Sequence, residues 1–196
     1  MRSIVTTLFA TCAMLLCLTL STNAQTTHKM PGSSALVERG KLLVTIGGCN
    51  DCHSPKIMTA KGPDVDTTRV LSGHPSDQKL PELPVNVIGP DKWGAVTSND
   101  LTAWFGPWGV SFTANLTPDK ETGLGSWTEQ MFFQALRTGK HMGAAQGRAI
   151  LPPMPWQPIG SIPAQDLKAI WAYLQALKPI KNAVPDPIPP QAPPAH

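Results

Sequence analysis

Three stretches of helical apolar spacing, split by a long proline- and glycine-rich segment of little periodicity, predict a domain whose regular structure is helical. The first stretch runs from about Ser34 to Ile46, the second from Ser126 to Gly139, and the third from Pro163 to about Leu177. Each carries end signals of its own, which is why the three are read as separate helices.

In the first helix, Ser33 or Ser34 supplies an N-cap oxygen, and Glu38 lies in the early turns, where the macrodipole favours an anion. Leu36, Val37, Leu43 and Val44 form its apolar stripe, and Gly47-Gly48 ends it. Residues 54 to 125 follow, with Gly62-Pro63, Gly89-Pro90 and Gly106-Pro107 as turns. The segment is too long for an ordinary connection, and Trp93, Trp104, Phe105, Trp108 and Phe112 give it material to pack. Its core, about residues 54–112, is expected to be an ordered insertion with few regular elements, with Trp104 and Trp108 in its interior. Ser126-Trp127-Thr128-Glu129 reads as a capping box opening the second helix, whose apolar face is Phe132, Phe133 and Leu136 and whose stop after Arg137 is Gly139. Pro163 suits the first position of the third helix, where Leu167, Ile170, Trp171, Leu174 and Leu177 recur at helical intervals. Pro179 ends it. The tail, residues 179–196, holds seven prolines and is expected to be extended, laid along the surface or disordered.

The amino terminus has a positive start at Arg2, a largely apolar run from Ile4 to Leu20, and small and polar residues up to Ala24. That order describes a secretory signal peptide, residues 1–24, with an uncleaved membrane anchor as the alternative. Residues 25–196 suffice for one domain with its own core. A formal net charge of +3 is too small to imply nucleic acid or an acidic membrane surface. Cys12 and Cys17 leave with the signal, so Cys49 and Cys52 are the cysteines of the mature chain and no disulfide framework is available.

Those two cysteines stand in Cys49-Asn50-Asp51-Cys52-His53. Thiols three positions apart can each form a thioether to one vinyl group of a haem, and the following histidine then supplies the proximal nitrogen to the iron. A thioredoxin-like dithiol would want a βαβ setting, and a zinc site would want a second ligand pair at similar spacing. Neither is found.

An electron carrier fills the sixth position of the iron, and the candidates are the thioethers of Met30, Met58, Met131, Met142 and Met154 and the imidazoles of His28, His74, His141 and His196. Met154 stands apart in Leu151-Pro152-Pro153-Met154-Pro155-Trp156. Prolines on both sides restrict the loop, so little entropy is lost when the sulfur binds. Met142 and His141 are the next choices. Arg148, six residues earlier, either meets a haem propionate with its planar fork or is a solvated loop residue. Trp156 either donates its indole N–H to a propionate or packs on the ring edge.

With these motifs, together with Gly40-Lys41 and Ile170-Trp171-Ala172-Tyr173-Leu174, the chain resembles a class I c-type cytochrome. Ala114-Asn115-Leu116-Thr117-Pro118-Asp119, Thr122-Gly123-Leu124-Gly125-Ser126-Trp127-Thr128 and Ala135-Leu136-Arg137-Thr138-Gly139 resemble, more narrowly, monohaem domains of bacterial periplasmic cytochromes that are subunits of membrane-linked dehydrogenases. The resemblance implies an all-α cytochrome c fold with a long, mostly irregular insertion between the haem motif and the second main helix. It implies a cytochrome c domain over residues 25–178, with the first and last helices crossing near Gly40 against Ile170 and Tyr173.

The expected function is periplasmic one-electron transfer by a non-enzymatic carrier. It would hold one covalent haem c with His53 and Met154 as axial ligands and Cys49, Cys52, Arg148 and Trp156 around the macrocycle. Its partners would be a redox protein donor and acceptor, such as a membrane-linked dehydrogenase or a terminal oxidase, and not nucleic acid. Two alternatives remain: a haem enzyme or small-ligand binder with an exchangeable sixth site, using His74 or His141 as acid–base residue, and a dedicated cytochrome subunit of a dehydrogenase complex.

Overall fold

Helices α1 (Ser33–Ile46) and α5 (Ala164–Ala176) cross at Gly40 in the computed structural model, which describes residues 32–190. The proposed signal peptide, the candidate ligands His28, Met30 and His196, and the end of the tail lie outside the described residues. A methyl group built on Gly40 would meet the Ala169 carbonyl carbon at 2.6 Å and Tyr173 Cβ at 2.7 Å. Only a residue without a side chain lets the two backbones approach this closely. The neighbours at the crossing are Ala169 and Tyr173, while Ile170 turns into the core.

That core is built by Val44 of α1, Leu167, Ile170 and Leu174 of α5, and Phe132 and Leu136 of α3 (Glu129–Thr138), closed by Leu71 and Leu124 from the loops. Phe132 and Trp171 stack with ring centroids 5.4 Å apart. Two short helices complete the set: α2 (Cys49–His53) and α4 (Trp156–Ser161). The caps differ in detail from expectation. Gly32 occupies the N-cap of α1 without a side-chain hydrogen bond, so neither Ser33 nor Ser34 caps it. At α3 the cap is Thr128, two residues beyond Ser126; its hydroxyl accepts from Met131 N–H at 3.2 Å. Pro163 sits just outside α5, at its N-cap.

The all-α expectation does not hold. The insertion carries two small antiparallel sheets, which make the fold mixed α/β. Strands β1 (Lys56–Thr59) and β2 (Gly62–Val65) form a hairpin. Thr59 Oγ1 closes its turn by donating to the Gly62 carbonyl at 2.7 Å. Strands β3 (Val96–Thr97), β4 (Ala103–Gly106) and β5 (Gly109–Phe112) form a three-stranded sheet in that order. Gly106 pairs with Gly109, leaving Pro107 and Trp108 as a two-residue turn. The physical reason is backbone satisfaction. A segment that packs must pair its buried N–H and C=O groups, and with no helical periodicity the ladder is the route left. Gly106-Pro107 was legible as a turn, but strands of two to four residues fall below the length at which alternation is readable.

Inside the insertion, Leu71 is fully buried with φ +58°. A left-handed leucine costs about 1–2 kcal/mol, and its bonds hold it there. Its N–H donates to Ser54 Oγ at 2.8 Å and its carbonyl accepts from Leu116 N–H at 2.8 Å. The insertion thereby joins the end of α2 to the segment before α3.

The first part of the tail is extended and held in place. Asn182 Nδ2 donates to the carbonyls of Ser72 and His74 at 2.7 and 2.8 Å, and Ser76 N–H donates to its Oδ1 at 3.0 Å. Ile188 pairs with Val110 of β5 through N–H···O bonds of 2.8 and 3.0 Å.

Asp66 provides an acid-sensitive element of the insertion. Its Oδ1 accepts from Thr68 Oγ1 at 2.6 Å and Thr68 N–H at 2.9 Å, and its Oδ2 faces Arg69 Nε at 2.8 Å. The Thr68 hydroxyl, ahead of Arg69, lowers the carboxyl pKa to about 2. A pKa depressed on folding stabilises the native state above the unfolded pKa, about 4, and that contribution is lost as pH falls toward 2. The Asp66→Asn variant should therefore be less stable than wild type at pH 6, with the gap closing between about pH 4 and pH 2. Denaturant midpoints measured across that range test this, and a gap independent of pH would contradict it.

Candidate functional site

His53, at the end of α2, is 8 % exposed and held from two sides. Its carbonyl accepts from Gly73 N–H at 2.8 Å, and its Nδ1 lies 2.8 Å from the Ala114 carbonyl oxygen. A carbonyl only accepts, so Nδ1 carries the proton and the Nε2 lone pair is left for a ligand. Burial, opposed by the Ala114 hydrogen bond, holds the imidazole pKa below its ordinary value. The ring is therefore neutral at pH 7, the form that binds a metal.

Ala114 is positioned by the same backbone that holds His53. Thr113 carbonyl accepts from His74 N–H at 2.9 Å, and Leu116 N–H bonds Leu71. Asn115 Oδ1 accepts from Thr117 N–H and hydroxyl at 3.0 and 2.8 Å, while its Nδ2 donates to the Ile180 carbonyl at 2.8 Å. The tail thus braces the segment that orients His53.

His53 and Met154 line one cavity of about 450 Å³. Leu116, Leu124, Phe132, Leu136 and Ile150 give it apolar walls. Arg148 lines it while remaining solvent-exposed, and Ala183 to Pro187 of the tail form part of its wall. Met154 is half-buried, and its loop is clamped from the insertion. Ser111 Oγ donates to the Pro152 carbonyl at 2.6 Å and accepts from Trp108 Nε1 at 3.2 Å.

The remaining candidates separate from this cavity. Trp156 is packed against the core and lies over Gly139, where a methyl group would meet its ring at 2.5 Å; it is not among the cavity-lining residues. Met58 is 79 % exposed on β1, and Met131 sits at the α3 cap. Met142 has φ +57° in a 3-10 turn (His141–Gly143) and does not reach the cavity wall. His141 does line it, edge-on to Trp127 at 5.3 Å, with burial and the Arg148 charge lowering its pKa. His74 is buried elsewhere, its Nδ1 2.8 Å from Thr102 Oγ1, whose hydroxyl donates to Asp100 Oδ2 at 2.7 Å. That removes His74 as an acid–base group facing the cavity.

Cys49 and Cys52 are half-buried free thiols, and burial pushes both above the ordinary thiol pKa. A protonated thiol is a poor nucleophile, which weighs against dithiol exchange. The residues fit a haem on one further observation. Thr113 lines the cavity, and its Oγ1 is buried without a hydrogen-bond partner, although buried hydroxyls are normally paired. An occupant bearing acceptor oxygens would satisfy it. Thr113 and Ser111 carried no signal in the sequence, and Ala114 stood out only as the start of the Ala114–Asp119 motif, because their roles depend on pairing with distant segments.

No family model matches the chain. A nicotinate dehydrogenase subunit of Pseudomonas putida is 27% identical over 153 residues, 78% of this chain and 10% of that protein. The gluconate 2-dehydrogenase cytochrome c subunit of Pantoea cypripedii is 28% identical over 152 residues, 77% of this chain and 25% of that protein. The cytochrome c subunit of the quinone alcohol dehydrogenase of Gluconobacter oxydans is 32% identical over 162 residues, 81% of this chain and 26% of that protein. The chain therefore spans between a tenth and about a quarter of the length of these relatives. Together they support a cytochrome c family for this chain.

Proposed function

We propose that this chain is a monohaem, class I c-type cytochrome domain that transfers single electrons, and that it serves as the cytochrome component of a dehydrogenase complex. The observation that carries the proposal is the shared cavity, with a neutral imidazole whose Nε2 is free and a thioether on a proline-framed loop. The named relatives favour the dedicated-subunit role over a freely diffusing carrier, since two of them are cytochrome c subunits of dehydrogenases. The signal-peptide pattern at 1–24 supports a periplasmic location for the domain, residues 25–178; no helix among the described residues is long and apolar enough to cross a membrane. The tail after residue 178 belongs functionally to the domain, because it walls the cavity.

When bound, haem c supplies an iron that cycles between ferric and ferrous states. The chain's residues do the rest. Cys49 and Cys52 would hold the macrocycle by thioethers, and His53 and Met154 would ligate its iron. Arg148 would meet a propionate with its fork, and Thr113 would donate its orphaned hydroxyl. Trp156 serves by packing against the core over Gly139. Keeping both protein ligands in place through Ala114 and Ser111 limits rearrangement on electron transfer. The apolar walls and the thioether would both favour ferrous iron and raise the potential of a bound haem.

The test is expression of the full chain in a host that matures c-type cytochromes, followed by acid–acetone extraction and carbon monoxide addition to the reduced protein. Pigment that stays with the protein, and is lost in Cys49→Ala and Cys52→Ala, supports the proposal. A colourless product, or pigment that extracts, overturns it. Rapid carbon monoxide binding by wild type would favour the small-ligand reading, for which His141 is the cavity-facing acid–base group.

A further inference from the structure

The ammonium group of Lys56, the first residue of β1, is the cation that closes the carboxyl-terminal end of α2. Its Nζ lies 2.7 Å from the Ser54 carbonyl, 2.9 Å from that of Asp51, 3.2 Å from that of Asn50 and 3.4 Å from that of Asp100. Three N–H groups serve four carbonyl oxygens, and only the protonated amine presents all three donors. Three of those carbonyls belong to the Cys49–His53 helix and its C-cap, groups that no helical N–H reaches. The fourth belongs to the loop before β4, so one charge ties the cysteine–histidine helix to the insertion. The side chain is half-buried, which weakens solvent screening.

We propose that Lys56 is a positioning residue that fixes the α2 helix and, through its charge, favours the reduced state of the group held by His53; this rests on the haem reading above. A fixed positive charge opposes any added positive charge nearby, and the ferric state carries one more than the ferrous. The carboxylates of Asp51 and Asp100 also act on Lys56 and offset part of its field.

The experiment is redox potentiometry of the matured full chain, comparing wild type with Lys56→Met, Lys56→Gln and Lys56→Arg. Absorption spectra of both redox states establish that ligation is unchanged. The neutral variants should shift the reduction equilibrium about three- to tenfold toward the ferric form; tenfold corresponds to about 59 mV for one electron. Lys56→Arg should stay nearer wild type than either. Glutamine keeps a donor for the carbonyls, so it reports on charge if the methionine variant fails to mature. A wild-type potential in a neutral variant with an unchanged spectrum overturns the proposal, as does an equal shift in the arginine and glutamine variants. Absence of pigment in wild type would instead refute the haem reading itself.

Discussion

Replacing Met154 by alanine is expected to abolish the low-spin His/Met spectrum, open the reduced protein to carbon monoxide, and lower its potential. Met154 shares the cavity with His53, and in the proposed haem site its loop would hold the sulfur in place before ligation. Pro152, Pro153 and Pro155 restrict the backbone, Met154 N–H donates to the Leu151 carbonyl at 3.3 Å, and Ser111 clamps Pro152. A preorganised ligand loses little entropy on binding, so a weak iron–sulfur bond would survive. Loss of the half-buried side chain should also cost about 2 kcal/mol of stability through the space it vacates. Absorption and magnetic circular dichroism of both redox states test the ligand role. An unchanged spectrum would reject Met154 and leave His141 as the described candidate on the cavity wall.

Gly40→Val is expected to destabilise the fold by about 3 kcal/mol or more, or to prevent its accumulation. The added atoms would collide with the Ala169 carbonyl and Tyr173 Cβ, both on a helix that cannot yield without dragging Leu167, Ile170 and Leu174 out of the core. Side chains that clash with flexible neighbours are accommodated by rotamer changes, whereas a clash with backbone moves a helix. Because α1 leads directly through Gly47 and Gly48 (φ +64°) into the Cys49–His53 helix, the same displacement should lower haem incorporation. Gly94→Ala, with nothing within 4 Å of the new methyl, is the control and should change stability by less than about 0.5 kcal/mol. Chemical denaturation of the three proteins tests this. Equal midpoints would mean that the crossing tolerates a side chain.

Features encoded by a few adjacent residues were legible in the chain alone. The Cys49–His53 motif, the three main helices and the proline frame of Met154 all depend on spacings within one or a few turns of chain. Their signals survive without knowledge of the neighbours. The caps were legible only to within two residues: Ser126 and Thr128 offer similar oxygens and packing selects Thr128 at α3, while at α1 the N-cap position falls on Gly32, which has no side-chain oxygen to signal it.

Packing in three dimensions settled the rest: the β-sheets of the insertion, the fixing of the tail and the protonation of His53. The strands are too short to show alternation, and they exist because β4 and β5 bury Ala103 and Val110. The tail has no helical or strand pattern of its own, yet Asn182 reaches carbonyls more than 100 residues away. His53 meets the Ala114 carbonyl across 61 residues, a backbone group that every residue type possesses. Side-chain identity is written in the sequence, but the partner of a main-chain oxygen is chosen by how distant segments pack. For that reason His53 was readable from its motif as a candidate ligand, while the hydrogen bond that fixes its tautomer was not.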